Sequence, residues 1–273
     1  MQHRHIAFIG AGNMSRSIIS GMCNSGYPAD KITASNPSMP KLSALKSDFS
    51  IQITQQNEQA VQDADVIVLA VKPQLMEQMC STLKDNVSLN GKLFISIAAG
   101  IETSRLSEML GGQTNIVRTM PNTPSSLGKG MTGLFAPAHV SQADKEYAGD
   151  LMAQVGEVAW VEKESMINGV IAAAGSSPAY FYAFLEAMQK EAESQGFDHQ
   201  TARLLVQQAM LGAAEMVCHN PQLEISELRA QVTSKGGTTA KAVEHFQNNG
   251  IDTLVSGAMQ AAVTRAEEMA KLF

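Results

Sequence analysis

Residues 5–15 read HIAFIGAGNMS, and their order decides the fold. HIAFI is an apolar run of strand length that ends at a glycine. Gly10, Ala11, Gly12, Asn13, Met14 and Ser15 follow as GxGxxS, close to the dinucleotide fingerprint. Gly10 permits a tight turn and Gly12 lets backbone approach a pyrophosphate, while Ser15 stands where close helix packing usually takes Gly or Ala. A helix is expected from Asn13 to about Asn24, and a second strand at residues 31–35 (KITAS), about twenty residues on, as a βαβ unit requires.

The end of that second strand bears on the cofactor. A fold specific for NAD places Asp or Glu there, against the ribose hydroxyls. Here the chain reads Ser35, Asn36, Pro37, Ser38, with Lys41 close behind. No carboxylate opposes a 2′-phosphate and neutral donors are at hand, so NADPH is favoured, with NADH possible.

Further strands are expected at residues 65–71 (DVIVLAV), 93–97 (LFISI) and 115–120 (NIVRTM), with helices at 73–84 and 103–110. That alternation is the mark of a parallel, doubly wound sheet. Residues 131–135 and 157–161 read as strands at one edge, separated by a helix over 141–155 with Ser141 and Asp144 as a capping pair. Beyond residue 163 no strand is expected. Helical runs rich in Ala, Met and Leu carry the chain to its end, which divides it into a dinucleotide-binding domain (1–163) and an all-helical domain (164–273).

Composition limits the function. The chain has 273 residues, 44% of them hydrophobic, enough for a substantial core. Lys and Arg total 20 against 26 Asp and Glu, a net charge of -6, which argues against a nucleic-acid or anionic-membrane surface as partner. The 3 Cys (Cys23, Cys80, Cys218) are too sparse for a zinc or disulfide pattern; they read as core thiols in a reducing cytoplasm. The 6 His show no ligand spacing, so no metal is expected. The uncharged stretch 165–185 is about as long as a membrane span, but Asn168, Gly175, Ser176, Ser177 and Pro178 interrupt it. It reads instead as a helix buried against another subunit.

Residues 232–244, VTSKGGTTAKAVE, carry the chemistry. Gly236 and Gly237 free the backbone, and Thr238 and Thr239 open a helix whose unpaired N–H groups would attract a carboxylate or phosphate. The plain alternative is a threonine-capped helix after a glycine turn.

The chain resembles the pyrroline-5-carboxylate reductases from end to end. The resemblance rests on FIGAGNM (8–14), AVKPQ (70–74), AAG (98–100), MPNTP (120–124), GSSPAY (175–180), MLGAAEM (210–216) and VTSKGGTT (232–239), in that order and spacing. It implies a Rossmann-type domain for the nicotinamide cofactor and a helical domain that interleaves with a partner subunit, making a homodimer or larger homo-oligomer. It implies NADPH-dependent reduction of a cyclic imino acid to L-proline, the last step of proline biosynthesis. By resemblance Ile9, Gly10, Ala11, Gly12, Asn13 and Met14 lie under the pyrophosphate. Asn36 and Ser38 lie near the 2′-phosphate, and Asn57 near the adenosine ribose. Val71, Lys72, Pro73 and Ala99 flank the ribose and nicotinamide. Lys72 is placed on the cofactor side rather than as a proton donor. Gly237, Thr238 and Thr239 would hold the substrate carboxylate, with the Thr239 hydroxyl aimed at the imine nitrogen. The chain departs from the family pattern at Lys235, where Pro is common, and at Ser177, where Gly is common. Three other readings stay open: a two-domain hydroxyacid dehydrogenase, a reductase of another cyclic imine, and a cofactor-sensing protein without turnover. The first would carry a catalytic Lys on the long helix, yet residues 166–188 contain none.

Overall fold

The computed structural model describes residues 3–272. Eight strands, β1 (Ile6–Ile9), β2 (Ile32–Ser35), β3 (Gln52–Thr54), β4 (Val66–Leu69), β5 (Leu93–Ser96), β6 (Ile116–Met120), β7 (Gly130–Phe135) and β8 (Gly156–Trp160), form one sheet in the order β3-β2-β1-β4-β5-β6-β7-β8. Every neighbouring pair is parallel except β6 with β7. β1 lies between β2 and β4, with Ile6 opposite both Ile32 and Val66, so the winding direction reverses at β1 and β4.

The sheet is covered by α1 (Asn13–Asn24), α2 (Met39–Phe49), α3 (Asn57–Gln62), α4 (Pro73–Asn86), α5 (Thr103–Met109) and α6 (Gln142–Ala153). Side chains alternate across a strand, which gives the sheet two cores. Ile6 and Phe8 pack with Ile18, Leu42 and Leu151 on one face. Ala7 and Ile9 pack with Val61, Met76 and Leu106 on the other. The expected cap is present at α6, where Ser141 Oγ accepts from Asp144 N at 3.1 Å.

The remaining helices are α7 (Met166–Val170), α8 (Ser177–Ser194), α9 (His199–His219), α10 (Ile225–Gln231), α11 (Thr238–Asn248) and α12 (Ile251–Leu272). No strand occurs among them, so a Rossmann-type sheet is followed by an all-helical segment. The uncharged stretch is not one helix. A π turn at Ile171–Gly175 separates α7 from α8, with Ser176 N donating to Ile171 O at 2.8 Å. Pro178 has no N–H to give the Ala174 carbonyl, and Asn122 Nδ2 supplies that bond at 3.1 Å. Among the described residues no helix is long and apolar enough to cross a membrane.

By contacts the chain divides into two compact units. One runs to Ser176 and includes the chain from Ala261 onward; the other is Ser177–Gln260. In the second unit α8 has no buried residue and α9 buries only Ala202 and Val206. Phe181, Tyr182, Leu204 and Leu254 are 58%, 60%, 58% and 74% exposed in the single chain, far more apolar surface than a solitary helical unit normally shows. The thiols differ from one another. Burial pushes Cys80 up to about 12 and also raises Cys23, whereas Cys218 lies exposed on α9 and is not a core thiol of this chain.

Candidate cofactor site and anion cradle

The turn after β1 is built around Gly10. Its φ is +112°, and a Cβ there would stand 2.6 Å from the Ala70 carbonyl oxygen, so only glycine lets β1 end beside the end of β4. Ile9, the last residue of β1, is fully buried beneath it, and Gly10 N donates to Ser35 O at 2.8 Å. Ser15 does more than fit. Its buried hydroxyl donates to Gly10 O at 2.7 Å, satisfying the carbonyl of the strained turn in a way Gly or Ala could not. Gly12 then caps α1 without a side chain, Asn13 and Met14 form the first turn, and that turn carries no acid. A Cβ on Gly12 would meet nothing within 4 Å. Open space before uncapped helix amides is what a pyrophosphate needs, so the residues present fit the dinucleotide.

The end of β2 is tied to this turn. Asn36 Oδ1 accepts from Ala11 N at 3.3 Å, and Asn36 N donates to Thr54 O at 3.3 Å. Ser35 Oγ donates to Asn57 Oδ1 at 2.7 Å, which brings the start of α3 to the same place. Ser38 stands at the N-cap of α2 but makes no capping bond with its side chain, and the first turn of α2 contains no acid. Across the reversal point, Val71 follows β4, Lys72 is the N-cap of α4, and Pro73 is its first residue, where the missing N–H does no harm. Ala99 lies half-buried in the loop after β5, whose start is fixed by Ile97 N donating to Leu69 O at 3.2 Å. These positions lie at or after the carboxyl ends of β1, β2, β3, β4 and β5, where an open parallel sheet binds ligands.

The threonine segment belongs to the second unit. Gly236 has φ +75°, but Gly237 is extended, at φ -76° and ψ 169°, and is itself the N-cap of α11. A Cβ on Gly237 would lie 2.6 Å from Ser234 Oγ, which can rotate away, and 3.2 Å from Ser234 O, so glycine keeps this turn uncrowded. Thr238 and Thr239 are therefore the first two helical residues and cap nothing, and no side chain caps the helix. The threonine-capped alternative does not form. Gly237 N is committed to Ser234 O at 3.0 Å, and the first bond into the helix is Lys241 N to Gly237 O at 3.2 Å. The N–H groups of Thr238, Thr239 and Ala240 lie ahead of it, beside two exposed hydroxyls. Gly237 thus shapes the cradle, and Ala240 joins it as a donor that sequence reasoning passed over.

The pyrroline-5-carboxylate reductase of Vibrio alginolyticus is 59% identical over 273 residues, covering 100% of both chains. The chain belongs to the pyrroline-5-carboxylate reductase family. The family description "Pyrroline-5-carboxylate reductase dimerisation" matches residues 164–269, and "NADP oxidoreductase coenzyme F420-dependent" matches residues 5–100. A solved pyrroline-5-carboxylate reductase from Coxiella burnetii is similar with a TM-score of 0.91 at 41% identity, over 98% of this chain and 99% of that one. Plasmodium falciparum pyrroline carboxylate reductase, solved with NADP bound, gives 0.87 at 28% identity over 99% of each. This family membership accounts for an NADP-type oxidoreductase site followed by a dimerisation segment.

Proposed function

We propose that this protein reduces 1-pyrroline-5-carboxylate to L-proline with NADPH, completing proline biosynthesis in the cytoplasm. The observation that carries the reading is the uncapped N-terminus of α11, an anion cradle with two hydroxyls, in a chain whose other unit ends its first βαβ in an acid-free phosphate turn. Ile9 to Met14 receive the pyrophosphate, Asn36 and Ser38 the 2′-phosphate, Asn57 the adenosine ribose, and Val71, Lys72, Pro73 and Ala99 the nicotinamide ribose and ring. When bound, the reduced nicotinamide supplies a hydride to C5 of the imine, which becomes the pyrrolidine carbon of proline.

The protein binds and orients. The substrate carboxylate sits on the amides of Thr238 and Thr239 in the space that Gly237 leaves, each charge-assisted bond contributing about 1.5–3 kcal/mol. The Thr239 hydroxyl orients the imine nitrogen. It is too weak an acid to be the proton source, so the substrate arrives protonated or takes its proton through water. Functionally the chain divides into a cofactor domain, 1–163, and a substrate and dimerisation domain, 164–273; the start of the dimerisation match at residue 164 supports that boundary. The apolar surface of α8, α9 and α12 supports a homodimer or a larger homo-oligomer.

NADPH oxidation by the purified protein tests the reading. It should require 1-pyrroline-5-carboxylate and yield proline in equal amount; NADPH binding without turnover would favour a cofactor sensor instead.

A further inference from the structure

The loop after β5 that holds Ala99 is fixed along its length. At its start, Ala98 N donates to Ser96 Oγ at 3.3 Å. In its middle, Gly100 lies so close to α12 that a Cβ would be 2.7 Å from Met269 Cβ. At its end, Thr103 opens α5, and the N-cap residue Glu102 offers no side-chain bond. The missing cap comes from far along the chain. Glu164 Oε1 accepts from Thr103 N at 2.8 Å and Oε2 accepts from Thr103 Oγ1 at 2.8 Å. Arg118 Nη1 on β6 donates to the same Oε1 at 3.1 Å, and its side chain is 3% exposed against 17% for Glu164.

We propose that Glu164, held by Arg118, is a positioning residue that clamps the Ala98–Ala99–Gly100 loop against the nicotinamide half of the cofactor. A local Ser, Thr or Asp at residue 102 would cap α5 without burying a charge. A buried ion pair is a weak source of stability, because desolvation offsets most of the attraction. What it does provide is geometry: one carboxylate holds the first turn of α5 by two bonds and is itself held from the neighbouring strand. Thr103 and Glu164 are separated by 61 residues, so the clamp ties the nicotinamide-side loop to the segment that leads into α7. This inference rests on the placement of Ala99 beside the nicotinamide.

The test uses the full-length protein and four measurements: NADPH Kd by fluorescence, KM for NADPH, kcat and Tm. Thr103→Val, which removes one bond at nearly constant volume, and Glu164→Gln should each raise Kd and KM for NADPH by about 5- to 10-fold and lower kcat, with KM for the imine within about twofold. Thr103→Ser should restore wild-type values. The double variant Glu164→Leu/Arg118→Met removes both charges, and should recover Tm but not NADPH affinity. Wild-type NADPH affinity and kcat in Thr103→Val and Glu164→Gln, or recovery of both Tm and affinity in the double variant, would overturn the proposal and leave a purely structural bridge. Ala99→Leu separates the two levels. If it leaves NADPH binding intact, the placement of the loop fails and the inference with it; if it abolishes binding while the clamp variants bind normally, only the inference fails.

Discussion

Asn36→Asp should shift the cofactor preference toward NADH without disturbing the fold. Asn36 uses its Oδ1 to accept from Ala11 N, and a carboxylate keeps that acceptor while strengthening it, so the phosphate turn should retain its shape and the Tm should stay within a degree or two. On the proposed placement the new charge faces the 2′-phosphate. Taking ~5 Å between the groups and an effective dielectric of ~40, each unit pair costs ~1.7 kcal/mol. For a phosphate carrying about -1.5 to -2, the penalty is ~2.5–3.3 kcal/mol, a loss of about 70- to 250-fold in kcat/KM for NADPH. NADH has a 2′-hydroxyl that can donate to the carboxylate, worth ~1 kcal/mol or about fivefold in its favour. The penalty should shrink as salt is raised, because the site is open to solvent. Steady-state kinetics with both cofactors, at two ionic strengths, measure all of this. A shift in the NADPH-to-NADH ratio below about tenfold, with the Tm unchanged, would refute the placement of the 2′-phosphate beside Asn36.

The two glycines of the turn should fail differently. Gly10→Ala meets the Ala70 carbonyl and the wrong backbone region, so it should lower stability by at least ~2 kcal/mol in denaturant unfolding. Gly12→Ala has open space, so its Tm should hold while NADPH affinity falls about tenfold or more in a fluorescence titration; normal binding would contradict the pyrophosphate placement. Thr239→Val should lower turnover by about 10- to 100-fold, ~1.4–2.7 kcal/mol, and leave NADPH affinity unchanged. Sedimentation at micromolar concentration should find no active monomer, because side chains such as Tyr182 and Leu254 need a cover.

The first βαβ was legible because its signals are local: an apolar run, glycines at fixed offsets and a helix at once. The Ser141 and Asp144 cap was legible for the same reason, both partners lying within one helical turn. β3 was missed because its three residues, Gln52 to Thr54, sit at the sheet edge with none fully buried and show no apolar alternation. α2 was missed because only Leu42 and Leu45 are buried in it and Pro40 stands in its first turn. The π turn receives a bond from Asn122, which reaches the Ala174 carbonyl from 52 residues away. The second role of Ser15 and the bonds of Glu164 to Thr103 and Arg118 likewise need the folded chain. In the threonine segment the uncommitted N–H groups start one residue later than expected, because Gly237 N closes the turn onto Ser234.

If the α11 N-terminus holds the substrate carboxylate, kcat/KM with NADPH must differ sharply between 1-pyrroline-5-carboxylate and 1-pyrroline. 1-Pyrroline keeps the imine but leaves the amides of Thr238, Thr239 and Ala240 without their anion. The expected result is a loss of at least about 100-fold in kcat/KM for 1-pyrroline. Equal efficiency on the two imines would mean that the glycine and threonine segment only starts a helix, and would contradict the account.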